Sequence, residues 1–514
     1  MSIDVDTDAP TEVALRKPRT YGNWRRPVSS GLFGRSMAFN VAAAITAIGG
    51  ILIYFLSNNW KAALVWALLG AVGCIALGVP APHNRTLGQN SLVWMRYWRA
   101  RSTGTNLYRS GPLSGREACG LPGALSKVET TEYRDTLGRV FALGYYPSGH
   151  YFVPFEAQPD GAGGIDQDEI DLAVARYAAW LSEHPSIEGL VGASIIIETA
   201  PDTGSRLEQA IGYREVDSAP PFTKAVMASC VQEYPEGSAS LRCYITMTFE
   251  GGKRSPRKAM TQKARQEHVA RSLAKELPML TQSLIGSGAG PIVPMDKQTL
   301  AEVVRTAFDP EMGPVFEDAR AKGSVQYAQG WPDCGPMAYE AKWDHMIHDS
   351  GVSHTAVMSA PPRSAVREGL FGRLVEADDT VLRKRVAVVF RIIPTEKAAD
   401  VVETAHTNAV FNASAASKRT AVHNKDVAAA AKAAEEEADG AGLVSFAVVA
   451  TTTVRSLEDL ELAKAAVRIP GSSARIKMRP AYGGQDSAFA LTIPVGFQPH
   501  LHAKAPESMR KAAK

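Results

Sequence analysis

Three imidazoles in one short stretch could hold a metal ion. Trp343-Asp-His-Met-Ile-His-Asp-Ser-Gly-Val-Ser-His354 carries His345, His348 and His354, with Asp349 among them. Neutral imidazole suits zinc. If the stretch is helical, the i, i+3 spacing sets His345 and His348 on one face. No HExxH motif and no second ligand set accompanies them. A turn with hydrogen-bonded histidines is the simpler expectation. His345, His348 and His354 therefore stand as candidate ligands only, with no cofactor expected.

Phosphate chemistry needs a Gly-rich turn that ends in Gly-Lys-Ser/Thr, so that backbone amides cradle the anion and lysine neutralises it. Gly161-Ala-Gly-Gly164 is followed by acids that would repel phosphate, and Gly286-Ser-Gly-Ala-Gly290 runs into Pro291. Gly251-Gly-Lys-Arg-Ser255 lacks the spaced first glycine, and no apolar strand is expected to feed it correctly. No GxSxG elbow occurs. Glu233 and Glu236, and Asp378 and Asp379, read as charged surface pairs. Arg383-Lys-Arg385 and Arg254 to Lys258 read as basic, solvated faces. The expectation is a non-enzyme.

Two apolar runs must position whatever the chain does. Met37–Leu56 is uncharged over 20 residues, and Ala62–Val79 is uncharged as well. As helices each spans about 27–30 Å, the thickness of a hydrocarbon core. Helix is required there because lipid cannot satisfy open backbone groups. Only Ser57 to Lys61 separates the runs, so a tight antiparallel hairpin follows. A signal peptide is the poorer reading, since the first run starts late and a second follows at once. Gly49, Gly50, Gly70, Gly73 and Gly78 allow close helix contact. Neither run holds an ionisable residue, which argues against a transport pathway.

Charge sets the orientation. Arg25, Arg26 and Arg35 precede the hairpin, Arg85, Arg96, Arg99, Arg101 and Arg109 follow it, and the loop between has only Lys61. The positive-inside rule places both ends in the cytoplasm and the short loop outside, and the expected location is the cell (inner) membrane. Trp60, Trp94 and Trp98 suit the interface, and 91–101 reads as a basic, aromatic helix against anionic headgroups. The net charge of +3 does not mark the chain as a nucleic-acid binder, so direct DNA contact is not expected. Five widely spaced cysteines without CxxC imply reduced, buried thiols.

The fold expected is α+β: a basic tail (1–36), a transmembrane hairpin (37–79), a juxtamembrane segment (80–110), two mixed cytoplasmic lobes (111–290 and 291–500) and a basic tail (501–514). Strands are expected near 128–133, 139–145, 150–155, 191–199, 242–249, 354–360, 385–393, 443–453 and 488–494. Helices are expected over 166–184, 222–232, 261–285 and 296–308, while 309–352 shows little periodicity. Residues 395–439 form either one rod of about 65 Å or two helices that break near Asn424.

Several stretches, taken in order, resemble a family of actinobacterial membrane proteins that accompany conjugative, type IV-like secretion machinery. They are Tyr21-Gly-Asn-Trp-Arg-Arg-Pro27, Glu198-Thr-Ala-Pro-Asp-Thr-Gly204, Ala307-Phe-Asp-Pro310, Trp331-Pro-Asp-Cys-Gly-Pro336 and His348-Asp-Ser-Gly-Val-Ser353. Arg383-Lys-Arg-Val386, Glu435-Glu-Glu-Ala-Asp-Gly-Ala-Gly442 and Leu491-Thr-Ile-Pro-Val-Gly496 complete them. The lobes also look distantly like the amino-terminal part of VirB-type conjugation ATPases, without the motor. The resemblance implies a scaffold that docks a separate conjugation-type ATPase and other secretion membrane subunits in the lipid bilayer, with a homo-oligomer open. It supplies no catalytic residues. Two alternatives stay open: a subunit of a type VII-like membrane complex, and a membrane-anchored metal enzyme that uses His345 and His348.

Overall fold

The computed structural model describes residues 37–502, apart from 162 and stretches within 82–84, 112–117, 203–217, 234–238, 255–260, 323–328, 363–365 and 416–420. Arg25, Arg26 and Arg35, the Tyr21–Pro27 motif and the tails at 1–36 and 503–514 lie outside the described residues.

Helices α1 (Met37–Ser57) and α2 (Trp60–Gly78) form the expected hairpin, and both are long and apolar enough to cross a membrane. Asn58, at φ 48°, makes the turn, and the Asn59 side chain caps α2 by accepting from the Lys61 and Ala62 amides. Strands β1 (Pro80–Ala81) and β2 (Arg85–Thr86) form a small ladder before α3 (Leu87–Ser102). A reciprocal Thr86–Gln89 capping box opens α3.

The rest is α+β around one antiparallel sheet of 13 strands. Strand β3 (Leu107–Arg109) is followed by β4 (Glu129–Arg134), β5 (Val140–Tyr145), β6 (His150–Ala157), α4 (Gln167–Glu183), β7 (Leu190–Pro201), α5 (Pro221–Glu233) and β8 (Ala239–Glu250). The short α6 (Gly251–Arg254), α7 (Gln262–Gln282), β9 (Ile292–Pro294), α8 (Lys297–Phe308) and α9 (Met312–Ala321) come next. Then come β10 (Ala338–Ala341), β11 (Met346–His348), β12 (Gly351–Ala360), α10 (Gly372–Val375), β13 (Arg383–Ile392), α11 (Thr395–Ala415) and α12 (Ala421–Ala438). Strand β14 (Val444–Val454), α13 (Leu460–Ser473), β15 (Lys477–Pro480), α14 (Gln485–Phe489) and α15 (Pro499–His502) close the chain.

The strand order contains one unit twice. Strands β9-β6-β8-β7 repeat as β15-β12-β14-β13, each the 4-1-3-2 order of a ferredoxin-like split βαβ unit. An antiparallel hairpin precedes each unit: β4–β5 beside β6, and β10–β11 beside β12. The units meet along β7 and β13, in register from Thr199↔Lys384 to Gly192↔Arg391. Strands from both sides of residue 290 therefore share one sheet, and β9 beyond that point pairs back to β6.

Helices α4 and α7 cover one face of the sheet, burying Phe141, Val153, Ile245 and Phe249 against Trp180, Leu273 and Leu277. Helices α10 and α13 continue that layer over Val386, Val448 and Ala450. Helix α8 and the segment Phe489–Phe497 cover the opposite face.

Four expectations are corrected. Residues 488–494 are a helical turn, α14 running into a 3-10 turn, because they pack into the core over the sheet with α8 and do not join the sheet. The aperiodic stretch 309–352 holds α9, β10 and β11. Of the two forms left open for residues 395–439, two mutually packed helices are present, and Asn424 lies inside α12 rather than at its boundary. Strand β8 leads straight into Gly251, so an apolar strand does feed that loop, although the phosphate-loop spacing is absent from the sequence.

Candidate functional site

The hairpin packs through its small residues. Gly49 faces the Trp66 ring, Gly70 faces Thr46, and Trp66 Nε1 donates to the Thr46 carbonyl at 3.1 Å. No residue of α2 is buried, so its outer faces suit lipid. Trp60 is 62% exposed, in the first turn of α2.

Helix α3 joins this hairpin to the sheet with two different faces. Gly88 abuts the Ala76 carbonyl of α2. Val93 and Tyr97 pack beside Gly483, whose φ of +68° and close neighbours leave no room for a side chain. Tyr97 meets Trp343 edge to face at 5.2 Å, Trp343 stacks on Tyr482 at 5.6 Å, and the Gly483 amide donates to the Trp343 carbonyl. On the other side Trp94 and Trp98 are 59% and 60% exposed, with Met95 and Leu87 alongside. Arg96, Arg99 and Arg101 share the helix, the last two in its final turn, where the dipole favours cations. An apolar stripe on a basic helix directly after two apolar helices is the pattern of an interfacial element.

The candidate metal ligands do not converge. Residues 346–360 form strands, so the i, i+3 helix reading of His345 and His348 is corrected. His348 is 1% exposed on β11; its Nδ1–H donates to the Phe308 carbonyl at 2.5 Å, so its Nε2 accepts from Ser353 Oγ at 2.7 Å. His354 Nδ1 instead donates to the Asp344 carbonyl, beside Lys464 of α13 on the opposite face. His345 bonds the Asp344 side chain at 2.8 Å. Among the described residues no group of three or more His, Cys, Asp or Glu is placed to hold a metal. Burial pushes His348 down to about 4 and lowers His354. The His348–Ser353 pair has the polarity of a base and a hydroxyl nucleophile, yet Ser353 is fully buried and its Oγ is held by Thr453 Oγ1 at 2.7 Å.

Several of the stretches that carry the resemblance lie around α8, while Gly442 of another abuts Pro185 behind α4. Arg305 binds Asp309 at 2.7 Å, Asp349 at 2.9 Å and the Gly335 carbonyl at 2.6 Å. Ser350 donates to Asp309. Arg383 binds Glu198 at 2.5 Å across the β7–β13 junction. Arg385 donates to the Ala307 carbonyl at 3.3 Å and lies over the Phe489 ring at 4.7 Å. Around them Arg242 pairs with Glu317, and Arg320 with Glu302, fixing α9 and α8 to the sheet. The reading of Arg383-Lys-Arg385 as a solvated basic patch is thus corrected: Lys384 and Arg385 are each 2% exposed. Burial pushes Arg385 down to about 10, partly offset by Glu198. Sequence reasoning missed Glu198, Arg242 and Arg305, because ion pairs between residues far apart in the chain have no local signature. The thiols also differ from expectation, since Cys243 and Cys334 are buried but Cys230 is exposed and Cys74 lies on α2.

Compared with known proteins, the chain matches no family model and no curated protein.

Proposed function

We propose that the chain is a non-catalytic, membrane-anchored scaffold subunit that holds a partner at the cytoplasmic face of the cell membrane. The contact of Tyr97 and Val93 with Trp343 and Gly483 carries this reading. It docks α3 on the α+β unit, which supports a sheet held at a set attitude to the hairpin rather than swinging on a tether. Arg85, Arg96, Arg99, Arg101 and Arg109 against a lone Lys61 support cytoplasmic termini. The ion pairs at the β7–β13 junction and around α8 and α9 serve rigidity, which a docking surface needs to limit the entropy lost on binding.

Within the type IV-like apparatus that the resemblance implies, the partner is a separate conjugation-type ATPase, and other membrane subunits pack against the hairpin. Crosslinking in native membranes tests this. Recovery of an ATPase and membrane subunits supports the scaffold, and recovery of lipid and the chain alone contradicts it.

A further inference from the structure

No Asp or Glu stands between Glu12 and Glu117, a stretch that holds the hairpin, α3 and the arginines around them. Exposed tryptophan keeps to the same stretch. Trp180 and Trp331 of the α+β unit are buried and Trp343 is half-buried, whereas Trp60 and Trp66 on α2 and Trp94 and Trp98 on α3 are exposed. Large rings with one polar N–H are enriched where a bilayer meets water.

The faces of α3 divide its contacts. At about 100° per residue, Leu87, Trp94 and Trp98 fall within about 40° of one another around the helix, with Met95 beside them. Val93 and Tyr97, which dock on Gly483 and Trp343, lie about 100° away. The helix therefore meets the sheet on one face and leaves its apolar stripe on the next. Arg101 borders the stripe on one side and Arg99 on the other, both exposed in the last turn, while Arg96 falls opposite. Arginine stems are long enough to carry guanidiniums from such flanks to headgroup phosphates.

The start of the helix sets its depth. Gly88 abuts the Ala76 carbonyl in the last turn of α2, and the Leu87 amide donates to the Val79 carbonyl, so α3 begins level with the end of the hairpin. For a hairpin that spans a bilayer, that level is the edge of the hydrocarbon core. Were α3 to stand on end there, Trp98 would lie about 16 Å beyond the edge, out of reach of acyl chains. Laid along the edge, the whole stripe stays in the boundary layer where amphipathic helices bind. A protein on this face would have to bring carboxylates to Arg99 and Arg101, whereas an anionic leaflet presents phosphates at that depth.

We propose that α3 lies along the cytoplasmic leaflet, with Leu87, Trp94 and Trp98 in the acyl boundary and Arg99 and Arg101 on anionic headgroups, so that the corner of the sheet at Trp343 and Tyr482 is held close to the membrane surface. This surface rests on the reading of α1 and α2 as a membrane anchor.

The test uses the full chain, with its five native cysteines replaced by serine, in vesicles of phosphatidylcholine with phosphatidylglycerol. A nitrobenzoxadiazole label is placed at Met95→Cys on the stripe, or at Leu137→Cys in the exposed β4–β5 turn, and lipids brominated along the acyl chain serve as quencher. The Met95→Cys label should shift to the blue and lose most of its fluorescence, and the Leu137→Cys label should do neither. Quenching at Met95→Cys should weaken in phosphatidylcholine alone. Arg99→Gln with Arg101→Gln should abolish that difference between lipids, and Arg96→Gln should preserve it. An unquenched Met95→Cys label in vesicles that hold the chain overturns the proposal, as does equal quenching in the two lipids. A label that is wet in vesicles but shielded in native membranes also overturns it, because a protein then covers the stripe. A chain that alkaline washing strips from the vesicles refutes the anchor itself; one that stays while its Met95→Cys label is unquenched refutes only the lipid contact of α3.

Discussion

Tyr97 of α3 meets Trp343 of the β10–β11 connection edge to face, with ring centroids 5.2 Å apart. This contact couples the helix that follows the hairpin to a loop more than two hundred residues later. Edge-to-face pairs contribute about 0.5–1.5 kcal/mol beyond the area they bury. A double-mutant cycle with Tyr97→Ala and Trp343→Ala should therefore give a coupling energy of about 1 kcal/mol in chemical denaturation. A coupling near zero would mean that α3 does not dock.

The hairpin depends on two glycines at close approaches. A Cβ at Gly70 would lie 2.0 Å from the Thr46 side chain, and one at Gly49 would lie 2.7 Å from Trp66. Gly70→Val should force the helices apart and cost about 1–3 kcal/mol. Thermal unfolding of the detergent-solubilised protein would show a lower midpoint, whereas Gly73→Val, at a position with open space, should change little.

Acid should destabilise the α+β unit through its neutral histidines. Burial pushes both His184 and His348 down to about 4. Their folded values lie below the unfolded value near 6.5, so the unfolded chain takes up protons first as pH falls. Their contribution is complete above about pH 6.5 and is lost progressively from there toward pH 4. On the order of 2 kcal/mol for each should disappear between pH 6.5 and 5. Neither ring nitrogen of His184 has a partner, and the ring packs on Trp180 at 4.1 Å. His184→Leu should therefore flatten the pH dependence of urea unfolding, and an unchanged slope would contradict the burial argument.

At the β7–β13 junction, Glu198 is the carboxylate that faces both Arg383 and Arg385. Glu198→Ala leaves two buried cations uncompensated and should cost about 3–5 kcal/mol. Arg385→Met should cost less, since the Nε and Nη1 of Arg385 have no hydrogen-bond partner and its stem already lies among apolar groups. Denaturation midpoints of the two variants check the order, and the reverse order would contradict it.

These tests fall on residues that sequence patterns reveal unequally. The hairpin was legible because lipid demands long uncharged runs, and Met37–Leu56 supplies one. Strands such as β7 and β13 were legible from continuous apolar, β-branched residues. Pairing was not: nothing local says that Arg391 lies opposite Gly192, and the repeated unit shows only in strand order. Arg383 and Arg385 looked solvated because composition prices a charge for water, and their buried partner Glu198 is 185 residues away from Arg383. His345 and His348 suggested a helix face because i, i+3 spacing says nothing of the pairing that holds Met346–His348 between β10 and β12. The aromatic, basic character of α3 was legible from Trp94 and Trp98, but the docking of Tyr97 on Trp343 needed the fold.

The central claim is a two-helix anchor with the sheet on the cytoplasmic side, and substituted-cysteine labelling in intact cells tests it most directly. In a background with the five native cysteines replaced by serine, Asn59→Cys lies in the hairpin loop and Leu137→Cys in the exposed β4–β5 turn. A membrane-impermeant maleimide should label Asn59→Cys in intact cells and label Leu137→Cys only after lysis. Labelling of Leu137→Cys in intact cells, or protection of Asn59→Cys until lysis, would contradict the account.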